Sequence, residues 1–308
     1  MLTIETLPSF GWQRCCRIAN DQIELIVSLD VGPRILRCGF LGGQNFFHVN
    51  PALQGQTGGD AWQPYGGHRL WHAPEAAPRS YGPDNGPVSV EQADGRVRFT
   101  QPVEPAAGIQ KEIEITLHPT APSVAVRHRL HNRTLWPVEL APWALTVLAA
   151  GGTAILPLPP RAPHGPDRLL PTSQLTLWSY TDLGDPRWTL GTRYVLARQD
   201  PSRPAYQKIG LHVTDGWAGY ARAGELFVKT FAAVDPAARY PDFNSTCEVF
   251  IDGELLELET LGPLAPLAPG GAAEHLETWH LWRDVPAPRS DADVAAHIAP
   301  RVAELNAG

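Results

Sequence analysis

The chain is poor in most features that would mark a membrane, nucleic-acid-binding or disulfide-stapled protein. It has no apolar run approaching the ~18 residues of a membrane-spanning helix, so no span is expected. Basic residues are outnumbered, 25 Lys and Arg against 32 Asp and Glu, giving a net charge of −7. Nothing there attracts a phosphate backbone, and nucleic acid is not expected as a partner. Cysteine is scarce, at four in 308 residues. A bridge between the neighbours Cys15 and Cys16 would be strained, and Cys38 and Cys247 lack metal-ligand spacing. Reduced thiols, and so a cytoplasmic protein, are the expectation. The stretch Met1 to Leu7 has no basic start followed by an apolar core, so no secretory signal is expected. Lysine is scarcer still. Three of the 25 basic side chains are lysine, a bias that reads as codon usage and not as function.

What the chain has in quantity is punctuation. Its 31 prolines and 28 glycines are spread along the whole length, which leaves little room for long helices. Between them, apolar and polar residues alternate with period two, as in Gln22 to Leu29, Lys111 to Leu117 and Ser123 to Leu130. Similar runs recur up to His275–Trp282, separated by turn pairs such as Asp94-Gly95 and Gly270-Gly271. Near the end, Ser290 stands at capping distance from Asp293, and Val294, Ile298, Val302 and Leu305 form an apolar stripe that Pro300 should kink or divide. The predicted architecture is all-β: a large antiparallel two-sheet sandwich with a groove and a short C-terminal helix. With no linker or repeat, residues 1–308 read as one domain.

Three segments carry candidate chemistry. Residues 60–86 read as a loop from their Gly and Pro content, yet they hold Trp62, Tyr65, His68, Arg69, Trp71, His72, Glu75, Tyr81, Asp84 and Asn85. Aromatic faces stack on the C–H faces of sugar rings while Arg, Asp, Asn and Glu satisfy hydroxyls. Alternatively, Trp62 and Trp71 plug one end of the sandwich. His68, His72 and Glu75 would gather as metal ligands on a helix, but Gly66-Gly67 and Pro74 argue against one. On a strand the histidines would share a face and lack a third ligand, so no metal is expected. His128 and His131, on opposite faces of a probable strand, read as structural or solvated.

Further along, alternation in Leu255 to Leu261 sets Glu257 and Glu259 on one face and Leu256 and Leu258 on the other. Facing a groove, the two acids would repel and suit proton transfer; alternation alone favours a solubilising face. Lys229 shares a face with Phe227 and Phe231, and either snorkels or addresses a ligand. Asn244 and Glu248 could join it at one rim, and Arg34 stands at the mouth of an early strand.

Leu258-Glu259-Thr260, Leu267-Ala268-Pro269-Gly270-Gly271, Thr278-Trp279 and the early Val31-Gly32-Pro33-Arg34-Ile35 together resemble the galactose mutarotase-like (aldose 1-epimerase-like) superfamily, in a bacterial branch. Gly67-His68-Arg69-Leu70-Trp71 is similar to the family's His/Gly/Trp loop, with the residues in a different order. The resemblance implies a cofactor-free isomerase of carbohydrate metabolism that interconverts sugar anomers, with Glu259 as general base and a histidine as acid. One departure stands out. Where the family carries a histidine-aromatic motif, this chain reads Ala141-Pro142-Trp143-Ala144-Leu145-Thr146, which leaves His68 or His72 as the acid. The implied partner is a small sugar or sugar derivative. The Leu-Glu-Thr strand favours an enzyme, whereas the missing histidine favours a non-catalytic sugar-binding or sensing protein on the same groove.

Overall fold

A computed structural model describes residues 2–305. Two antiparallel sheets face each other, one of 11 strands and one of 10. The first runs from Thr3–Ser9 through Arg34–Phe40 to His68–Ala73, then Val138–Ala149, Leu255–Leu261, Cys247–Ile251, Gln207–Leu211 and Leu175–Leu177. At the centre of the second, Glu225–Phe231, Ala272–Arg283, Ser123–Asn132 and Ile109–Leu117 lie side by side. The expected two-sheet sandwich is the one observed.

The sheets bury their strands differently. In Ser123–Asn132 every second residue is buried, from Val124 to Asn132, and Ala272–Arg283 keeps the same rhythm from Ala273 to Leu281. One face packs into the core and the other meets water, where Arg127, Arg129, Glu112 and Glu274 pair across strands. By contrast, His68–Ala73 is buried at all six positions, and Val138–Ala149 over most of its length. Both faces of the first sheet are covered there. The inner face meets Phe227 and Trp279 through Phe47, and the outer face lies under aromatic loops.

Residues 60–86 therefore need a correction, because His68–Ala73 is a central strand and not loop. The flanking Gly66-Gly67 and Pro74 mark its ends. At Gly66 and Gly67 φ is +86° and +71°, and a Cβ would stand 2.2 Å from the His48 carbonyl and 2.4 Å from that of Ile35. Only glycine lets the chain enter the sheet so close to two other backbones.

At the C-terminus, Ser290 caps Asp291–His297, accepting a bond from the Asp293 amide, and a second helix spans Ala299–Leu305 with Pro300 in its first turn. The expected division is present. Val294, Ile298 and Val302 pack on Tyr194, Trp217 and Val228, covering the outer face of the second sheet.

Replacing Gly67 by Ala should destabilise the fold by on the order of 2 kcal/mol, through the strained φ and the Ile35 clash. Urea unfolding checks this, and Gly86→Ala, whose Cβ meets nothing within 4 Å, is the control.

Candidate functional site

Strand register assembles one row of side chains on the outer face of the first sheet. Arg69 lies opposite Leu145, Leu145 opposite Glu259, and Glu259 opposite Glu248. Beside it, Trp71 lies opposite Trp143. Lys208 comes in from the next strand, across from Phe250. Rings close over the row: Trp62, Trp71 and Tyr81 meet edge to face at 5.2–5.9 Å, and Trp71 meets Trp143 at 5.5 Å. The Arg69 guanidinium sits 4.7 Å from the Trp71 ring and 5.5 Å from that of Trp62, and donates to Glu257 at 3.1 Å.

At the floor lies a triad of charge. The Lys208 ammonium is 3.0 Å from Glu259 Oε2 and 2.8 Å from Glu248 Oε2, and lies over the rings of Trp143 and Trp178 at 4.9 and 4.7 Å. The Trp143 indole N–H donates to Glu259 Oε2 at 2.7 Å. Glu248 and Glu259 have no exposed surface, so the solubilising reading of Glu259 is overturned. Burial pushes both carboxyls above the ordinary range against the pull of Lys208. Burial acts to lower Lys208, but the two carboxylates overcome it and hold the ammonium well above its usual value. Oε1 of each glutamate is buried without a hydrogen-bond partner among the described residues. Two unused acceptors therefore lie buried beside the Lys208 ammonium, and a hydroxyl is a group that could donate to them.

Several expected residues stand elsewhere. His68 and His72 occupy the alternate positions of the Arg69 strand, so they point between the sheets, away from Glu259. Glu75 is exposed on the rim and accepts from the Tyr81 hydroxyl. Arg34, Asp84 and Asn85 hold the chain together. Arg34 bonds Asp84 at 2.5 Å and the Gly66 carbonyl at 2.7 Å, and Asn85 donates to Gly58 and Gly59. Asn244 is exposed and accepts from the Tyr240 amide. Lys229 is neither at a rim nor snorkelling; it is sealed in the core on Glu277. Sequence reasoning missed Lys208, Trp143 and Trp178. A signal was available, since Lys111, Lys208 and Lys229 are all buried, each against a glutamate.

No protein-family model matches the chain, and no curated protein does. Solved structures do. A candidate aldose 1-epimerase from Klebsiella pneumoniae superposes over 98% of this chain and 87% of its own, with a TM-score of 0.61 at 15% identity. A galactose mutarotase-like protein from Lactobacillus casei covers 87% and 100%, with a TM-score of 0.53 at 9% identity. The chain has the galactose mutarotase-like fold. A TPR-domain-containing protein from Parabacteroides distasonis matches 93% of the chain with a TM-score of 0.57 at 12% identity, and the chain spans 54% of that longer protein.

Between the sheets of this mutarotase-like sandwich lies a second polar cluster. His68 Nε2 is 2.7 Å from His128 Nε2, His68 Nδ1 is 2.8 Å from Thr146 Oγ1, and His128 Nδ1 is 3.0 Å from the His275 carbonyl. The carbonyl can only accept, so His128 Nδ1 carries hydrogen, His68 Nε2 donates to His128, and Thr146 donates to His68. Beside them the Glu277 carboxylate accepts from Lys229 at 2.8 Å, Thr260 at 2.5 Å and Trp279 at 2.7 Å. His68, His128 and Glu277 have the chemistry of metal ligands, within 4.8 Å of one another. Their geometry is that of a closed network: the ring nitrogens bond each other, and the Lys229 ammonium already neutralises Glu277. His128 is thus structural, and His131 faces Glu112 from the opposite side.

Lys229→Met should cost about 3–5 kcal/mol in urea unfolding by stranding Glu277, and adding Glu277→Gln should recover part of it. Burial also lowers six histidines: His48, His68 and His128, with His72 reaching about 3 and His275 and His280 about 4. The unfolded chain takes up those protons below about pH 6.5 and the folded one does not, so stability is lost as pH falls toward 4. The raised Glu248 and Glu259 act the other way and are outnumbered. Unfolding free energies measured between pH 7 and 4.5 should therefore decline.

Proposed function

We propose that the groove over Arg69, Trp71, Trp143, Lys208 and Glu259 binds a small sugar or sugar derivative and interconverts its anomers without a cofactor. The observation carrying this reading is the buried, unpartnered Oε1 of Glu259, set beside an ammonium and against the Trp143 indole, which Trp71 meets edge to face. Glu259 removes the proton of the anomeric hydroxyl, the bond from the anomeric carbon to the ring oxygen breaks, and the ring oxygen takes a proton. Rotation about the bond between the first two carbons and closure on the other carbonyl face reverse these transfers. Lys208 supplies the charge that favours the opening ring oxygen. Neither histidine of the Arg69 strand faces it, so the acid role expected of His68 or His72 passes to the Lys208–Glu248 pair. Arg69 and Glu257 hold hydroxyls, and Trp71 and Tyr81 stack on the ring's C–H face.

Because Glu259 and Glu248 have no exposed surface, this reading requires side chains around the row to move aside as a sugar enters, with Lys208 kept beside Glu259. Full burial and a histidine-free face also support the second reading, a non-catalytic sugar-binding or sensing protein on the same groove.

Glu259→Gln separates the two. The enzyme reading expects a loss of about 10²–10⁴-fold in anomer interconversion, followed by polarimetry over a panel of aldoses, with saturation-transfer NMR showing the sugar still bound. Wild-type protein that binds sugar without accelerating interconversion leaves the binding reading, and unchanged turnover in the variant rejects Glu259 as base.

A further inference from the structure

The C-terminal helices cover the outer face of the second sheet over part of its width only. In the strand Tyr194–Arg198, alternation puts Tyr194, Leu196 and Arg198 on that face. The helix packs on the first two, and Arg198 lies beyond them. Strand pairing sets Thr153 opposite Arg198 and Thr189 opposite Leu196. The strap from Pro286 to Arg289 and the last turn of Asp291–His297 stand beside these residues, and together they bound an open cleft of about 710 Å³. That is the size of a small-molecule site. Its walls are fixed: the Asp291 carboxylate accepts from the amides of Thr192, Arg193 and Tyr194, which ties the helix to the turn entering the Arg198 strand.

Some polar groups of the cleft are already in use. Arg187 is buried, with Asp185 on one side and the carbonyls of Arg203 and Ala205 on the other. Gln199 is buried between the Gly151 amide and the Asp252 carbonyl. Others are open to solvent and unbonded. The Arg198 side chain is 59% exposed, and its nearest carboxylate, Asp200, is 3.9 Å away and bonded to Ser202. Arg289, His297 and Thr189 are exposed, and their side chains make no hydrogen bond or ion pair among the described residues. One carboxylate lines the cleft, that of Asp293, and its Oδ2 accepts from the Arg289 amide and the Ser290 hydroxyl in the helix cap.

Two free guanidinium charges thus face one carboxylate, in a chain whose net charge is −7. A cation would meet the surplus positive charge, and a neutral molecule would leave both guanidinium groups without a counter-charge. A phosphate matches them, because its several oxygens can take the planar forks of Arg198 and Arg289 with the hydroxyl of Thr189. Pro186, Pro286 and Ala287, all exposed, give the same cleft an apolar side for the body that carries the phosphate.

We propose that this cleft is a binding site for a small organic phosphate. It is separate from the groove over Glu259, which lies on the outer face of the other sheet.

Calorimetry and phosphorus NMR on the full chain at low salt test this with phenyl phosphate as the probe. Benzoate and benzyl alcohol are the comparators, with the same ring and less or no charge. Saturable phenyl phosphate binding is expected, weakened about tenfold by Arg198→Gln or by Arg289→Gln. Thr189→Trp, at an exposed position, should fill the cleft and abolish it. Arg14→Gln removes another exposed guanidinium from the first sheet and should change nothing, which separates a site from net charge. Trp71→Ala and Glu259→Gln should also leave binding intact, so failure here and failure of the groove reading are told apart. The proposal is overturned if phenyl phosphate does not bind, or if benzoate or benzyl alcohol binds as tightly. It also fails if Arg14→Gln weakens binding as much as the two cleft variants, or if Trp71→Ala removes it and so places it in the groove. Should one arginine variant unfold, the other and Thr189→Trp decide.

Discussion

Each lysine of this protein is an ammonium buried against a glutamate, and much of the sandwich depends on keeping those pairs in phase. Removing an ion from water costs several kcal/mol, and a close counter-charge with further hydrogen bonds offsets it. The offset exists only in one strand register. Lys229 on Glu225–Phe231 and Glu277 on Ala272–Arg283 both face inward because the two strands pair as they do. A slip of one residue would turn them to opposite faces. Lys208 reaches Glu259 across the intervening Cys247–Ile251 strand, so three strands must agree there.

The strand His68–Ala73 serves two compartments because its side chains alternate. Arg69 and Trp71 lie on the outer face, under the Trp62 and Tyr81 rings, while His68 and His72 belong to the interior. His68 then finds Thr146 and His128, which fixes its tautomer in a neutral relay, and it is spent on packing. The titratable groups that remain on the outer face are the carboxyls of Glu248, Glu257 and Glu259 and the Lys208 ammonium. Beside Glu259 it is the Trp143 indole, not a histidine, that supplies an N–H.

Alternation was legible wherever one sheet face meets water, as in Ser123–Asn132 and Ala272–Arg283, and so was the capped, proline-divided C-terminal pair of helices. It failed where both faces are covered. His68–Ala73 has no polar face to mark a period of two, and its flanking glycines and proline look like a loop until the two close backbone approaches explain them. Glu259 was found through its Leu-Glu-Thr context, yet its burial was not, because period two says which residues share a face and not what covers that face. Arg34, Asp84 and Asn85 have the composition of a ligand site and the geometry of a brace. Residue type alone could not separate those uses. The lysine scarcity could have helped: few lysines in an arginine-rich chain are where a compact ammonium, and not a planar fork, is required.

The three buried pairs differ in how fully their carboxylates are bonded. Glu277 has every acceptor it presents in use, by Lys229, Thr260 and Trp279, and lies sealed between the sheets. Glu259 and Glu104 each give one oxygen to a lysine and keep the other bare, Glu259 beside the Trp143 indole and Glu104 near the His72 ring. An unsatisfied buried carboxylate oxygen is a standing cost to the folded state. The segment 79–82 sets Tyr81 against Trp71, while a Cβ at its neighbour Gly82 would come within 3.1 Å of the Glu104 carboxyl.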